Sequence, residues 1–487
     1  MRLSVILHYV ALLLIGVGLF MLIPMGISLY HGETDAGAFG ISAGITVGTG
    51  AVLYSRTHSA RGSMLSRREA IVLVPLAWIL ISAFSALPYR IEGTFPGYIE
   101  SLFESVSGFT TTGASVLASV EDQPHGILFW RALTQWLGGM GIVVAFVALF
   151  PLLGMGTAYL VEAETPSPEV TRLRAHIRDT TRTIWGLYVL LTALEILLLL
   201  VIGKMPLFEA VCHTFATLST GGFSTQNESI GAYNSLSINI IVICFMFMGG
   251  INFALYYNLL WRRSLRSFLW DPEFRIYAIV LVGAIVAIAI DLIVDGDTRY
   301  PAGKAIEEAA FNGTAIQTST GFAISDFGQW PVFSQIVLVL LMLVGACAGS
   351  TSGGIKIIRF IVLFKYAYRQ LLLVFNPQAV IALRVGGRVI SERIVSRIVG
   401  FAILYFAVFV AATLIMSALG LDLVTAVSSV IASLSNIGPG LGDVGPAANY
   451  GAVPAAGKGV LIGCMLLGRL ELLAALALLS PTFWRWR

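Results

Sequence analysis

Four short stretches decide how this chain folds: Thr110-Thr111-Thr112-Gly113, Ser219-Thr220-Gly221-Gly222, Thr318-Ser319-Thr320-Gly321-Phe322 and Ser435-Asn436-Ile437-Gly438-Pro439. Each follows a moderately apolar segment, at 97–110, 207–218, 303–318 and 422–435. As helices these segments are too short to cross about 30 Å of hydrocarbon. Each also lies between two longer apolar runs. Counted from Gly113, the glycines Gly221, Gly321 and Gly438 recur after 108, 100 and 117 residues, which reads as a fourfold internal repeat. One hydroxyl-glycine segment would be an ordinary turn. Four in register, each after a half-length helix, point to loops that dip into a membrane and return.

Composition makes the membrane the relevant solvent. The chain of 487 residues is 57% hydrophobic and 12% charged, whereas a soluble protein carries about 25% charged residues. Hydropathy predicts ten spanning helices at 3–30, 37–55, 69–88, 126–152, 183–203, 234–260, 273–294, 332–370, 396–419 and 455–480. The first is too long for the apolar core of a signal peptide and reads as a retained span. Basic residues follow every second span: Arg56, Arg61, Arg67 and Arg68; Arg172, Arg174, Arg178 and Arg182; Arg262, Arg263 and Arg266; Lys365, Arg369, Arg384, Arg388, Arg393 and Arg397; and terminal Arg485 and Arg487. The positive-inside rule puts these connections and both termini in the cytoplasm. The fold class expected is an all-α integral membrane protein, with four pseudo-symmetric helix, pore-loop, helix repeats around one pore. Its parts are a peripheral helix pair (1–60) and repeats at 61–165, 166–268, 269–383 and 384–487.

Other classes find little support. A net charge of +3, spread along the chain, gives no nucleic-acid surface. The four cysteines (Cys212, Cys244, Cys347, Cys464) sit among apolar residues and read as buried free thiols. His213 lies in the second half-helix, where packing or hydrogen bonding is the expected role. No phosphate loop, metal-ligand cluster or nucleophile motif suggests an enzyme.

The loops have the chemistry of a cation filter. A dehydrated cation needs oxygens in place of its water, and rings of backbone carbonyls supply them. Glycine tolerates the backbone angles this demands, and the hydroxyls of Thr111, Thr112, Ser219, Thr220, Ser319 and Thr320 could add oxygens. The candidate ion ligands are these six with Gly113, Gly221, Gly321, Asn436, Ile437 and Gly438; in the fourth loop Asn436 and Ile437 leave the backbone to do more. The half-helices would aim their C-terminal carbonyls at the ion. Acids at their outer ends (Glu100, Glu104, Glu209, Glu307, Glu308, Asp422) would gather cations at the mouth.

Two features stand outside the repeat. The eighth span is interrupted by Gly345-Ala346-Cys347-Ala348-Gly349-Ser350-Thr351-Ser352-Gly353-Gly354. Such a run reads either as a mobile constriction or as a small-residue packing face. Arg469, with Glu471, lies in the last span, as a pore-side charge or half of a structural salt bridge. Broken helices and a midplane charge also occur in coupled transporters. Against that stands the lack of an intramembrane acid pair, since Asp291 and Glu195 fall near span ends.

With these residues assembled, the chain resembles the TrkH subunits of bacterial Trk potassium uptake systems, in the Trk/Ktr/HKT superfamily. The resemblance runs over essentially the whole length. It rests on Ser107-Gly108-Phe109-Thr110-Thr111-Thr112-Gly113-Ala114, Gln135-Trp136-Leu137-Gly138-Gly139-Met140-Gly141, Gly249-Gly250-Ile251-Asn252-Phe253-Ala254, Ala348 through Lys356, and Gly468-Arg469-Leu470-Glu471. It implies potassium (and rubidium) uptake across the inner membrane, through a filter whose four glycines would be Gly113, Gly221, Gly321 and Gly438. In plant relatives glycine in the first loop goes with potassium selectivity and serine with sodium, and Gly113 fits the former. The resemblance makes the loop at Gly345, Gly349, Ser350, Thr351, Ser352, Gly353 and Gly354, with Lys356, an intramembrane gate beside Arg469. It further implies a homodimer on a cytosolic ring of TrkA-type nucleotide-binding subunits, docked through the basic inner loops. The two extra N-terminal spans favour TrkH over KtrB. The only cofactor implied is the transported K+.

Overall fold

The computed structural model describes every residue except 64, 142–176, 254, 257, 258, 260–264, 296–299, 471, 473–475, 477, 479, 486 and 487. The N-terminal apolar run forms α1 (Leu3–Phe20) and α2 (Leu22–His31), which meet at Met21, and α3 (Ala36–Arg56) returns beside them. Glycine permits that approach. A Cβ on Gly18 would strike Val47, and one on Gly50 would strike Ile15 and the Ala11 carbonyl, the small-residue contact usual between membrane helices. A capping box starts α4 (Arg67–Ser85), Ser66 and Glu69 each accepting the other's backbone N–H. The short α5 (Leu87–Glu92) prolongs it.

A four-times-repeated pattern of short helices follows. In the first unit, α6 (Tyr98–Phe109) precedes α7 (His125–Gly139). The second has α8 (Ile177–Val201), α9 (Leu207–Leu218) and α10 (Leu236–Gly249). The third runs from the single turn α11 (Leu265–Leu269) through α12 (Pro272–Val294), α13 (Ala302–Gln317), α14 (Val332–Val344) and α15 (Ile357–Phe375). The fourth has α16 (Glu392–Ala418), α17 (Leu423–Leu434) and α18 (Ala455–Arg469), followed by α19 (Pro481–Arg485). Between α15 and α16, β1 (Arg384–Val385) pairs antiparallel with β2 (Arg388–Val389). Gly386 and Gly387, both at positive φ, make the tight hairpin turn, a small departure from an all-helical chain.

The half-helices α6, α9, α13 and α17 fall where the four apolar segments were expected. The ten continuous spans do not. Among the described residues six helices are long and apolar enough to cross a membrane: Leu3–His31, Ala36–Arg56, Arg68–Glu92, Thr183–Val201, Pro272–Val294 and Glu392–Ala418. The helices α7, α10, α14 and α18 have 15, 14, 13 and 15 residues, roughly 20–22 Å each and short of the hydrocarbon thickness. Spans four, six and ten are therefore interrupted as well as the eighth, whose break at 345–354 was expected. Glycine marks the reason, since these helices stop where a half-helix end abuts them. A Cβ on Gly138 would overlap the Phe109 carbonyl, and one on Gly468 the Leu434 carbonyl.

Large apolar side chains remain on the outside of the long helices, such as Leu190, Leu194 and Leu197 on α8 and Ile279, Val282, Val286 and Ile290 on α12. Their spacing of three to four residues makes continuous apolar stripes, an outer surface suited to lipid. Cys212, Cys347 and Cys464 are free and buried, while Cys244 is free but exposed on α10, which corrects the expectation for that thiol. Of the basic connections, Arg172, Arg174, Arg262, Arg263 and Arg487 lie outside the described residues, as does Glu471.

Candidate functional site

Each half-helix ends in the same hydrogen-bonded turn. After α6, the Thr111 N–H donates to Gly108 O (3.0 Å) and the Thr112 N–H to Ser107 O (2.8 Å). Thr220 and Gly221 do the same after α9, Ser319 and Thr320 after α13, Asn436 and Ile437 after α17. This is a Schellman cap, in which the first residue beyond the cap takes a left-handed conformation, usually as glycine. Here that position holds Thr111 (φ 53°), Thr220 (φ 55°), Ser319 (φ 58°) and Asn436 (φ 53°). Threonine there is a genuine outlier. Such strain persists only where the surroundings enforce it, and it clusters at functional sites.

Two residues on, each loop places a glycine at positive φ: Gly113 (80°), Gly222 (79°), Gly321 (76°) and Gly438 (97°). These four close a ring. A Cβ on Gly113 would overlap the carbonyl oxygen of Gly221, one on Gly222 that of Thr320, one on Gly321 that of Ile437, and one on Gly438 would crowd that of Thr112. Loop one thus touches loop two, two touches three, three touches four, and four returns to one. A cyclic row of backbone carbonyls is the geometry that can replace an ion's water.

The ring corrects the second loop by one residue. Its left-handed glycine is Gly222, not Gly221; Gly221 aligns with Thr112, Thr320 and Ile437, and Thr220 with Thr111. Ser219 moves to the helix cap, beside Thr110, Thr318 and Ser435. Two adjacent glycines made the register ambiguous in the sequence. Most hydroxyls serve as braces. Thr112 Oγ1 bonds Thr110 Oγ1 (2.7 Å), Thr320 Oγ1 bonds Thr318 Oγ1 (2.8 Å), and Thr220 Oγ1 donates to Ser219 O (2.6 Å). Asn436, in the loop that lacks hydroxyls, reaches across to Thr112 Oγ1 (2.9 Å) and to Met465 O (3.0 Å).

Side chains from the surrounding helices fix the loops from behind. Gln135 on α7 donates to Gly221 O (2.7 Å) and accepts from the Phe223 N–H (3.0 Å). His213 contacts Ser224 Oγ (3.0 Å), Asn312 donates to Ser325 Oγ (3.0 Å), and Ser428 donates to Leu441 O (2.9 Å). The expected acidic mouth is only partly present. Glu104 and Glu308 are buried inside their helices. Asp422 caps α17, accepting from Val424 N and Thr425 N. Its hydrogen bonding with Thr425 holds its carboxyl below the usual carboxylate range.

Beneath the ring, residues 345–356 leave the helical path between α14 and α15, with Gly345, Gly349, Gly354 and Lys356 at positive φ. The segment touches three of the four loop systems directly. Thr351 Oγ1 donates to Leu218 O (3.1 Å), Ser352 Oγ bonds Ser319 Oγ (2.8 Å), and Gly353 packs on the Ser435 carbonyl. Lys356 Nζ donates to Ser352 O. Arg469 supplies the remaining link, donating to Thr351 O (2.7 Å), Gly138 O (2.7 Å) and Gly139 O (3.2 Å). From the side, Glu273 on α12 accepts from the Ala348 N–H (2.6 Å), and Phe253 N–H donates to Gly349 O. Glu195 lies in the last two turns of α8, near the span end as expected, and is fully buried. Neither of its oxygens has a hydrogen-bond partner among the described residues.

Comparison with known proteins agrees with this geometry. The TrkH family model, described as a cation transport protein, matches residues 40–485. The chain is 38% identical over 487 residues to the Trk system potassium uptake protein TrkH of Escherichia coli K12, covering all of both chains. It is 33% identical over 469 residues to TrkG of the same organism, covering 96% of each. The crystal structure of the potassium transporter TrkH from Vibrio parahaemolyticus superposes with a TM-score of 0.88 at 33% identity, covering all of both chains. The chain is a multi-pass membrane protein that belongs to the TrkH family of cation transport proteins.

Proposed function

We propose that this protein takes potassium into a bacterial cell through a gated, channel-like, K+-selective pore that also passes Rb+. The observation that carries the reading is the closed ring of Gly113, Gly222, Gly321 and Gly438 against the carbonyls of Gly221, Thr320, Ile437 and Thr112. In this reading ten segments span the inner membrane with both termini cytoplasmic. The four loops are re-entrant filters of repeats 61–165, 166–268, 269–383 and 384–487, and 1–60 is a peripheral pair. Ion ligands come from Thr111, Thr112 and Gly113; Thr220, Gly221 and Gly222; Ser319, Thr320 and Gly321; Asn436, Ile437 and Gly438, mostly as backbone oxygens. The 345–356 segment, with Arg469, is the gate, held shut by its bonds to the loops above. In this reading the protein works as a homodimer with a TrkA-type cytosolic nucleotide-binding subunit; the relatives' names say only that they belong to Trk systems.

Tracer flux into proteoliposomes tests the pore. K+ and Rb+ should enter well and Na+ poorly, and Gly113→Ser should weaken that preference. Equal K+ and Na+ entry in the unmodified protein would defeat the reading. A second reading, transport coupled to protons, draws on Glu195. An ionisable carboxyl buried within a membrane helix is costly, and such groups mark proton relays and other ion pathways. Coupling would make the reversal potential follow the proton gradient and lose that dependence in Glu195→Gln.

A further inference from the structure

The seam between the first and second loops contains a buried charged strap next to the ring glycines; at the seam between the fourth and first repeats Lys458 on α18 pairs with Glu100 on α6 (3.1 Å), farther along the chain from those glycines. Arg131 on α7 and Glu104 on α6 are 3% and 0% exposed. Arg131 Nε donates to Glu104 Oε1 (2.8 Å), one terminal nitrogen donates to Ser115 Oγ (3.2 Å), and the other to Ser224 O (3.1 Å). The guanidinium also lies over the Phe223 ring, 4.2 Å from its centre. Glu104 in turn accepts from Ser115 Oγ and from the Val116 N–H (3.0 Å). Ser115 and Val116 follow Gly113 by two and three residues, while Phe223 and Ser224 follow Gly222 by one and two.

One planar guanidinium therefore holds both strands that rise from adjacent ring glycines. One turn further along α7, Gln135 holds the same second loop at Gly221 O and Phe223 N. The residues equivalent to Glu104 in the next two half-helices, His213 and Asn312, brace only their own loops through uncharged hydrogen bonds. The gap between loops one and two is thus set by the reach and planarity of one side chain, which a flexible lysine ammonium cannot reproduce.

We infer that Arg131 is a positioning residue for ion discrimination, holding the first and second loops at the spacing the carbonyl ring requires. This rests on the pore reading above. The test uses the full-length protein in proteoliposomes, with thermal stability and the K+/Na+ flux ratio measured for Arg131→Lys, Glu104→Gln and Gly113→Ser. Arg131→Lys keeps the buried charge but loses the fork, so the ratio should fall about tenfold. Glu104→Gln keeps an acceptor for Arg131 in nearly the same shape, so the ratio should fall by a smaller factor, about threefold, as one charge-assisted bond becomes neutral. If Gly113→Ser lowers the ratio while both strap variants keep it and lose only thermal stability, the pair is merely structural and the inference fails with the pore intact. If the unmodified protein does not discriminate K+ from Na+, the pore reading fails and the inference falls with it.

Discussion

Replacing Gly222 with alanine, and Gly221 in parallel, tests the register of the second loop directly. Gly222 has φ 79°, and an L-residue in that region costs about 1–2 kcal/mol. Its Cβ would also overlap the Thr320 carbonyl oxygen. That oxygen is backbone, so relief requires the second and third loops to separate, an overpacking cost of about 1–3 kcal/mol. The sum, about 2–5 kcal/mol, falls on the ring itself and corresponds to at least a tenfold loss at about 1.4 kcal/mol per decade. Gly221 is absent from the positive-φ residues, and the nearest atoms to its Cβ would belong to the Gln135 side chain, with Cδ at 2.5 Å. Gln135 is a side chain that can shift where the Thr320 backbone cannot, giving up two hydrogen bonds worth together about 1–3 kcal/mol. The assay is rubidium uptake and the K+/Na+ flux ratio in proteoliposomes, normalised to folded protein. Gly222→Ala should lose at least about tenfold in one of them, and Gly221→Ala clearly less. The reverse order would refute the register.

Three further outcomes concern the gate segment and the outer end of α17. Glu273→Ala should raise basal flux by about tenfold with an unchanged K+/Na+ ratio, because it leaves the Ala348 N–H of the closed segment without its acceptor, at a cost of about 1–3 kcal/mol; unchanged flux would remove Glu273 from the gate. Arg469→Ala frees Thr351 O, Gly138 O and Gly139 O and removes a cation from below the ring. Single-channel or tracer conductance should rise in correctly folded protein, and a fall would assign Arg469 to permeation rather than closure. Asp422→Ala deletes the cap of α17 and should cost about 1 kcal/mol of stability without altering ion preference. Because the Asp422 carboxyl titrates lower in the folded protein, the cap contributes above the ordinary aspartate range and is lost as pH falls through the depressed value. The stability difference between Asp422→Ala and the unmodified protein should therefore persist at pH 5 and vanish under strong acid in thermal melts.

The half-helices were legible because a short apolar segment that ends in a hydroxyl-glycine run has few other physical uses. Continuity of the following helices was not. Hydropathy reads Gly138-Gly139 or Gly249-Gly250 as part of an apolar span, and only the arrival of a half-helix end at those glycines stops the helix. The second-loop register was lost for a similar reason, since Gly221 and Gly222 are told apart only by φ and by what packs on them, neither of which shows in two adjacent glycines. The bracing use of the loop hydroxyls was not legible either: Thr112 and Thr320 bond the hydroxyls of Thr110 and Thr318, and Thr220 donates to Ser219 O, contacts that appear only once the cap turns form. Arg131 left a signal that went unused, because an arginine inside the predicted 126–152 span is costly there and points to a buried partner. Glu273 left none beyond its charge, as its partner is a backbone amide in a distant break.

The measurement that bears most directly on the central claim is the reversal potential of the purified protein in a planar bilayer, under a tenfold K+ gradient with Na+ as the balancing cation. The ring of four loops predicts a potential close to the K+ equilibrium value, unmoved by an added proton gradient and pulled toward zero in Gly222→Ala. A potential near zero in the unmodified protein, or one that follows the proton gradient, would contradict a simple potassium-selective pore.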